Sequence, residues 1–162
     1  MPREIESRFE PTPPQRAFLN SKATIRAYGG AVGGGKSRAM CEQAFDWAVQ
    51  HPGIQILMAR AEHSAIIETT PKTMTDQVLP PEVIKASKRT MSEDWIEVYT
   101  EERGITSRIN FIGFTNPTKW YSSEIGALFV DEAHETEERD ITQFLIRMRQ
   151  RCPACVKAER KD

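Results

Sequence analysis

The sequence predicts an α/β domain with a mainly parallel sheet, on three observations. Two short, almost continuous apolar runs, IQILMA at residues 54–59 and ALFV at 127–130, have the character of strands buried on both faces. Stretches with helical spacing alternate with such runs, as in a sheet covered by helices. A glycine-rich segment, YGGAVGGGKS, sits where a strand should give way to a helix.

Taken in order, PTPPQRAFLN reads as a helix start: Thr12 suits the N-cap, Pro13 the first helical position, and Gln15 completes a capping box. TIRAY at residues 24–28 reads as a short strand running into the glycines. Residues 37–49 place Met40, Ala44, Trp47 and Ala48 on one helical face, and His51-Pro52-Gly53 stops that helix. After the apolar run at 54–59 comes a helical region, broken before Pro71 and ending at Pro80-Pro81. DWIEVYT and SRINFIGF flank EERG and predict an inserted hairpin, and Asn116-Pro117 marks a turn. ALFV then changes abruptly to acid. Residues 137–151 return to helical spacing, with Ile141, Phe144, Leu145 and Met148 on one side.

Length and composition bound the answer. The 162 residues suffice for one domain with its own core. With 39% hydrophobic residues, 28% charged residues and a net charge of −1, bulk charge argues for neither nucleic acid nor membrane. Acids cluster at Asp131, Glu132, Glu135, Glu137, Glu138 and Asp140, and bases follow from Arg147 to Lys161, a pattern that solvated helix faces also produce. No apolar run approaches the length of a membrane span, and the charged, proline-rich start is no signal peptide. Three cysteines do not make a disulfide framework, which points to a reducing cytoplasm.

The glycines carry the chemistry. Gly30, Ala31, Val32, Gly33, Gly34, Gly35, Lys36 and Ser37 fit the phosphate-binding pattern G-x-x-x-x-G-K-[ST]. Glycines let successive backbone N–H groups turn toward a phosphate, and the helix that follows adds its positive end. Lys36 supplies a mobile charge to the β- and γ-phosphates, and Ser37 a hydroxyl to Mg²⁺. A flexible linker would explain the glycines but not the apolar segment before them or the helix after them. The run ALFV followed by Asp131-Glu132 has the form of a Walker B strand. There Asp131 would hold Mg²⁺, and Glu132 would orient and deprotonate the water that attacks the γ-phosphate of ATP.

In their order along the chain, PTPPQ, GGAVGGGKS, SSEIGALFVDEAHE and QFLIRMRQR resemble the ATPase domain of bacteriophage terminase large subunits, which package DNA into capsids. The resemblance implies a P-loop NTPase fold of the additional-strand class over residues 1–151, partial in extent, with a basic tail at 152–162. It implies ATP and Mg²⁺ as cofactors, phosphate binding by Gly30 to Ser37, metal binding by Ser37 and Asp131, and catalysis by Glu132 with Lys36. It also implies double-stranded viral DNA, a portal protein and a small terminase subunit as partners. A homo-oligomeric ring in the host bacterial cytoplasm and no membrane association complete the picture. In that family the proline-glutamine motif lies near the adenine, so Gln15 has two readings, base recognition and the capping box. Phe9 and Phe18 are each open to base stacking or to the core.

The sequence departs from the family pattern in three places. The loop reads Ala31-Val32 where some terminases carry an arginine, although an arginine at the γ-phosphate is worth about three to five decades of rate. Arg38, Arg60, Arg139, Arg147, Arg149 and Arg151 remain as candidates to act on a neighbouring subunit. No coupling motif follows the Walker B segment, and no nuclease domain is present in the 162 residues. A nucleotide-binding fragment without turnover and a helicase-like ATPase are therefore alternative readings. Cys152 and Cys155 form half of a zinc pattern, but too few further ligands accompany them, so no stoichiometric zinc is expected. In the additional-strand class the strand between the glycine-loop strand and the Walker B strand comes after Walker B in sequence. No apolar run follows Ile146, so an incomplete sheet with a gap between TIRAY and ALFV is expected.

Overall fold

A computed structural model describes residues 9–31, 33–90, 92–115, 120 and 122–150. The turn expected at Asn116-Pro117, the tail at 152–162 with Cys152 and Cys155, and Val32 all lie outside the described residues.

Helix α1 (Pro13–Asn20) is the first element among the described residues, with proline in its first turn. Helix α2 (Lys36–Gln50) follows the glycines and leads to strand β1 (Gln55–Arg60). Two short helices, α3 (His63–Ile67) and α4 (Thr70–Thr73), continue into one π-helical turn at Met74–Val78. Strands β2 (Ile84–Arg89), β3 (Asp94–Tyr99) and β4 (Thr106–Gly113) form a meander. Strand β5 (Ala127–Val130), a 3₁₀ turn (Ala133–Glu135) and helix α5 (Glu138–Leu145) complete the described chain. No helix among these is long and apolar enough to cross a membrane.

The five strands form one mixed sheet in the order β2-β3-β4-β1-β5. Strand β1 runs parallel to both β4 and β5, while β2-β3 and β3-β4 are antiparallel. The chain is thus α/β, as expected, and the β3-β4 hairpin stands where its residues predicted it. The parallel part is confined to β4-β1-β5, because the meander contributes three strands rather than two. Strand β2 was not foreseen. Its segment IKASKR is charged and mostly exposed, the composition of an edge strand that needs no buried face.

Alternation along β1 divides the core between the two sheet faces. Ile56 and Met58 face a cluster with Met40, Phe45 and Ala48 of α2, Ile66 of α3, Met74, Ile109 and Phe111. Leu57 and Ala59 face the opposite cluster, with Ile112, Phe114, Ile125 and Phe144 of α5. Strand β4 ends at Gly113, where a Cβ would come within 2.3 Å of the His63 backbone nitrogen, so the start of α3 lies directly on the sheet.

One expected strand does not form. Residues 24–28 bend at Thr24 and Ile25 and pair with no strand among the described residues. Side chains hold this segment instead. The Arg26 guanidinium donates to Gln43 Oε1 at 2.9 Å and to the carbonyls of Ala23 and Leu19. Phe18 and Tyr28 stack at 5.3 Å, while Ile25 is 73% exposed. The reason is the absence of a partner: TIRAY has strand-forming residues but no adjacent ladder. Strand β5 is paired to β1 alone, so among the described residues its other edge carries no strand; with TIRAY unpaired, the gap expected between it and ALFV has no second strand to define it.

Candidate nucleotide site

The glycine loop lies directly before α2, whose N-cap is Gly35. Gly35 takes φ +71, in the left-handed region, and a Cβ there would sit 2.5 Å from Gln15 Nε2. Both facts require glycine at this position. Gln15 is 5% exposed and uses both ends of its amide. Its Oε1 accepts from the Thr12 backbone N–H at 2.9 Å and from the Thr12 hydroxyl at 3.0 Å, and its Nε2 donates to the Gly35 carbonyl at 3.0 Å. The capping box therefore forms, and the same side chain also clamps the last glycine of the loop.

Lys36 folds back over the loop and donates from Nζ to the carbonyls of Gly30 at 3.0 Å and Ala31 at 3.1 Å. Its charge is thus held over the backbone carbonyls of the loop. Ser37, one residue into α2, reaches across to the end of β5. Its hydroxyl lies 3.3 Å and 3.4 Å from the two oxygens of Asp131. The sequence brings these two residues together by folding β5 beside β1 with its carboxyl end at the mouth of the loop.

Glu132 follows in an unusual conformation, with φ 49 and ψ 50, the only left-handed non-glycine residue among those described. Asp131 anchors the turn through its backbone N–H to the Ala59 carbonyl at 2.8 Å, and its Oδ1 accepts from the Glu132 N–H at 3.2 Å. The left-handed kink takes the place of strand alternation and lets consecutive acids leave the strand in a turn. The Glu132 carboxylate is 38% exposed and lies 3.4 Å from His134 Nδ1. Beside it Arg60, the last residue of β1, makes a two-pronged ion pair with Glu135 at 3.0 Å and 3.1 Å. That hydrogen bonding raises the arginine's pKa and lowers the carboxylate's.

Beneath the loop, the Cys41 thiol is fully buried on α2. Burial pushes its pKa up to about 12, and the Asp131 and Glu42 carboxylates add to the rise. Of the aromatic residues considered for base stacking, Phe18 is engaged with Tyr28, and Phe9 lies under the Arg38 guanidinium at 5.2 Å. Arg38 itself is held by Glu42 and Gln77, and Arg139 by Glu137 and Asp140. Arg60 stands out in the sequence only as one of several arginines able to serve a neighbouring subunit, and nothing local pairs it with Glu135. The one signal available was an arginine closing a buried apolar strand.

The backbone superposes on the large terminase of the thermophilic bacteriophage D6E with a TM-score of 0.68 at 17% identity, covering 87% of this chain and 37% of that one. The chain has the fold of a phage large-terminase ATPase domain. The ATPase domain of the Thermus phage P74-26 large terminase matches with a TM-score of 0.62 at 16% identity, over 86% of this chain and 62% of that domain. The D6E terminase in complex with ATP-gamma-S matches with a TM-score of 0.61 at 16% identity, over 85% of this chain and 35% of that one. No protein-family model and no curated protein matches the sequence. The chain thus spans little more than a third of the D6E terminase, and the likeness is one of fold.

Proposed function

We propose that this chain is the ATP-binding and ATP-hydrolysing domain of a phage DNA-packaging motor. One observation carries the reading: Ser37 and Asp131, from the two motifs, converge at 3.3 Å at the mouth of the glycine loop. A hydroxyl and a carboxylate side by side form a hard-oxygen pair that suits Mg²⁺, which keeps several waters and binds through one or two protein oxygens plus phosphate. When bound, Mg²⁺ would neutralise charge on the β- and γ-phosphates. The N–H groups from Gly30 to Ser37 would cradle the phosphates, and Lys36 would exchange its two carbonyl contacts for phosphate oxygens. Glu132 would align a water and accept its proton during attack on the γ-phosphorus. The terminase fold supports double-stranded viral DNA as the cargo, with the portal, the small terminase subunit and a ring of copies as partners in the host cytoplasm.

Arg38, Arg60 and Arg139, three of the arginines considered for the γ-phosphate, are each engaged by carboxylates. That favours a second reading in which the chain holds nucleotide and hydrolysis waits on a cation from another subunit. One experiment separates the readings: equilibrium ATP binding and turnover of wild type, Lys36→Ala and Glu132→Gln. Lys36→Ala should lose tight binding, whereas Glu132→Gln should bind ATP as wild type does and fail to turn it over. Equal loss of binding in both variants defeats the assigned roles, and wild-type binding without turnover supports the second reading.

A further inference from the structure

We infer that Arg60 is a positioning residue for Glu132, acting through Glu135; the functional part of this inference rests on the hydrolytic role proposed for Glu132. Glu132 holds a backbone conformation that residues with a Cβ rarely adopt, so neighbouring structure must impose it. The turn that contains it is fastened to β1 at both ends. At its start, the Asp131 N–H donates to the Ala59 carbonyl. At its end, the Glu135 carboxylate receives two parallel hydrogen bonds from Arg60, the next residue of the same strand. Between these anchors the Glu135 N–H donates to the Glu132 carbonyl at 2.9 Å, and the Thr136 N–H to the Ala133 carbonyl at 3.2 Å. Glu132 is thus the flexion point of a short arch with both feet on consecutive residues of β1.

The fork geometry matters here. Arginine presents paired N–H donors that fix the plane of a carboxylate, whereas lysine offers a point charge that fixes only distance. Glu135 lies in the 3₁₀ turn, three residues beyond Glu132, so fixing its carboxylate fixes the rotation of the turn. Released from Arg60, the turn can relax Glu132 out of the left-handed region and swing its carboxylate away from the attacking water. An ordinary exposed ion pair contributes little to stability, so the consequence belongs to the site's geometry rather than to the fold.

The experiment uses Arg60→Ala, Arg60→Lys, Glu135→Ala and the Arg60→Ala/Glu135→Ala double variant. Its readouts are ATP dissociation constant, kcat, and hydrogen exchange at the Glu135 and Thr136 amides. The expected result is a fall in kcat of roughly ten- to hundred-fold in each single variant, with ATP affinity unchanged and faster exchange at both amides. Arg60→Lys should behave like Arg60→Ala, and the double variant should be no worse than either single one. Wild-type kcat in Arg60→Ala, losses that add in the double variant, or unchanged exchange at the two amides would each overturn the inference. A wild-type chain without Glu132-dependent turnover would instead count against the hydrolytic reading, and the exchange readout then decides the arch by itself.

Discussion

The side-chain amide of Gln15 fills the space that a Cβ on Gly35 would need. Gln15 Nε2 donates to the Gly35 carbonyl at 3.0 Å, and the missing Cβ would lie 2.5 Å from that nitrogen. The first helix and the glycine loop are therefore coupled through this hydrogen bond. Because Gln15 Oε1 is held by the Thr12 N–H, the amide cannot rotate freely to make room.

Gly35→Ala should accordingly destabilise the chain by about 1–3 kcal/mol through left-handed strain alone, and should weaken ATP binding by displacing Gln15. Gln15→Glu separates the two effects. It keeps an acceptor for Thr12 but turns the donor facing the Gly35 carbonyl into a second acceptor. Thermal unfolding and ATP titration of both variants test this. Wild-type affinity in Gln15→Glu would show that the clamp does not shape the loop.

A second prediction concerns pH. Asp94 begins β3, is 4% exposed, and has one carboxylate oxygen without a hydrogen-bond partner. Burial raises its pKa, opposed in part by Arg89, whose Nε lies 3.8 Å away, and by His63. A carboxyl with a raised folded-state pKa binds its proton more tightly in the native chain than in the unfolded one. Its contribution is fully present below the unfolded value and is lost as pH rises through the folded value. Stability of Asp94→Asn relative to wild type should therefore increase from pH 4 to pH 7. Urea unfolding at several pH values checks it, and a flat or falling difference refutes it.

The parts legible in the sequence were those whose local chemistry agrees with the global fold. The run ending at Arg60 and the run ALFV are apolar because both faces of β1 are covered and β5 lies against it. Gly35 announces a loop because its left-handed backbone favours glycine there. Strand β2 was illegible because its neighbour supplies the ladder and solvent covers most of its side chains, leaving IKASKR without a pattern. TIRAY was misread for the converse reason: propensity without a partner does not make a strand. The Arg60–Glu135 pair spans 75 residues and leaves no local trace in the sequence.

A third prediction follows from Cys41. Its pKa near 12 leaves almost no thiolate at neutral pH, and the side chain is fully buried. With Cys152 and Cys155 replaced by serine, a thiol reagent at pH 8 should label the native chain only as fast as it opens. Saturating ATP should slow labelling further, since a ligand that binds only the native state lowers the population of open forms. Rapid labelling in native buffer would mean that α2 does not hold Cys41 against the sheet.

The last prediction concerns β5. This strand carries Asp131 at its end, yet it bonds to a neighbour on one side alone among the described residues. Its outer surface is only partly covered: Leu128, Phe129 and Val130 are each half-buried, and Phe129 meets the Trp47 ring edge-on at 6.0 Å. In a parallel pair, successive N–H groups of a strand point alternately toward and away from the neighbour. Amides directed at β1 should exchange slowly, and those directed at the open edge should exchange fast, so protection should alternate along Ala127–Val130. Backbone groups at such an edge also template pairing with a further strand. If that strand is supplied by another copy, raising the protein concentration should slow the fast set while leaving the slow set unchanged. Uniformly strong protection in dilute monomer would show that β5 already has two neighbours and that the sheet order described above is incomplete.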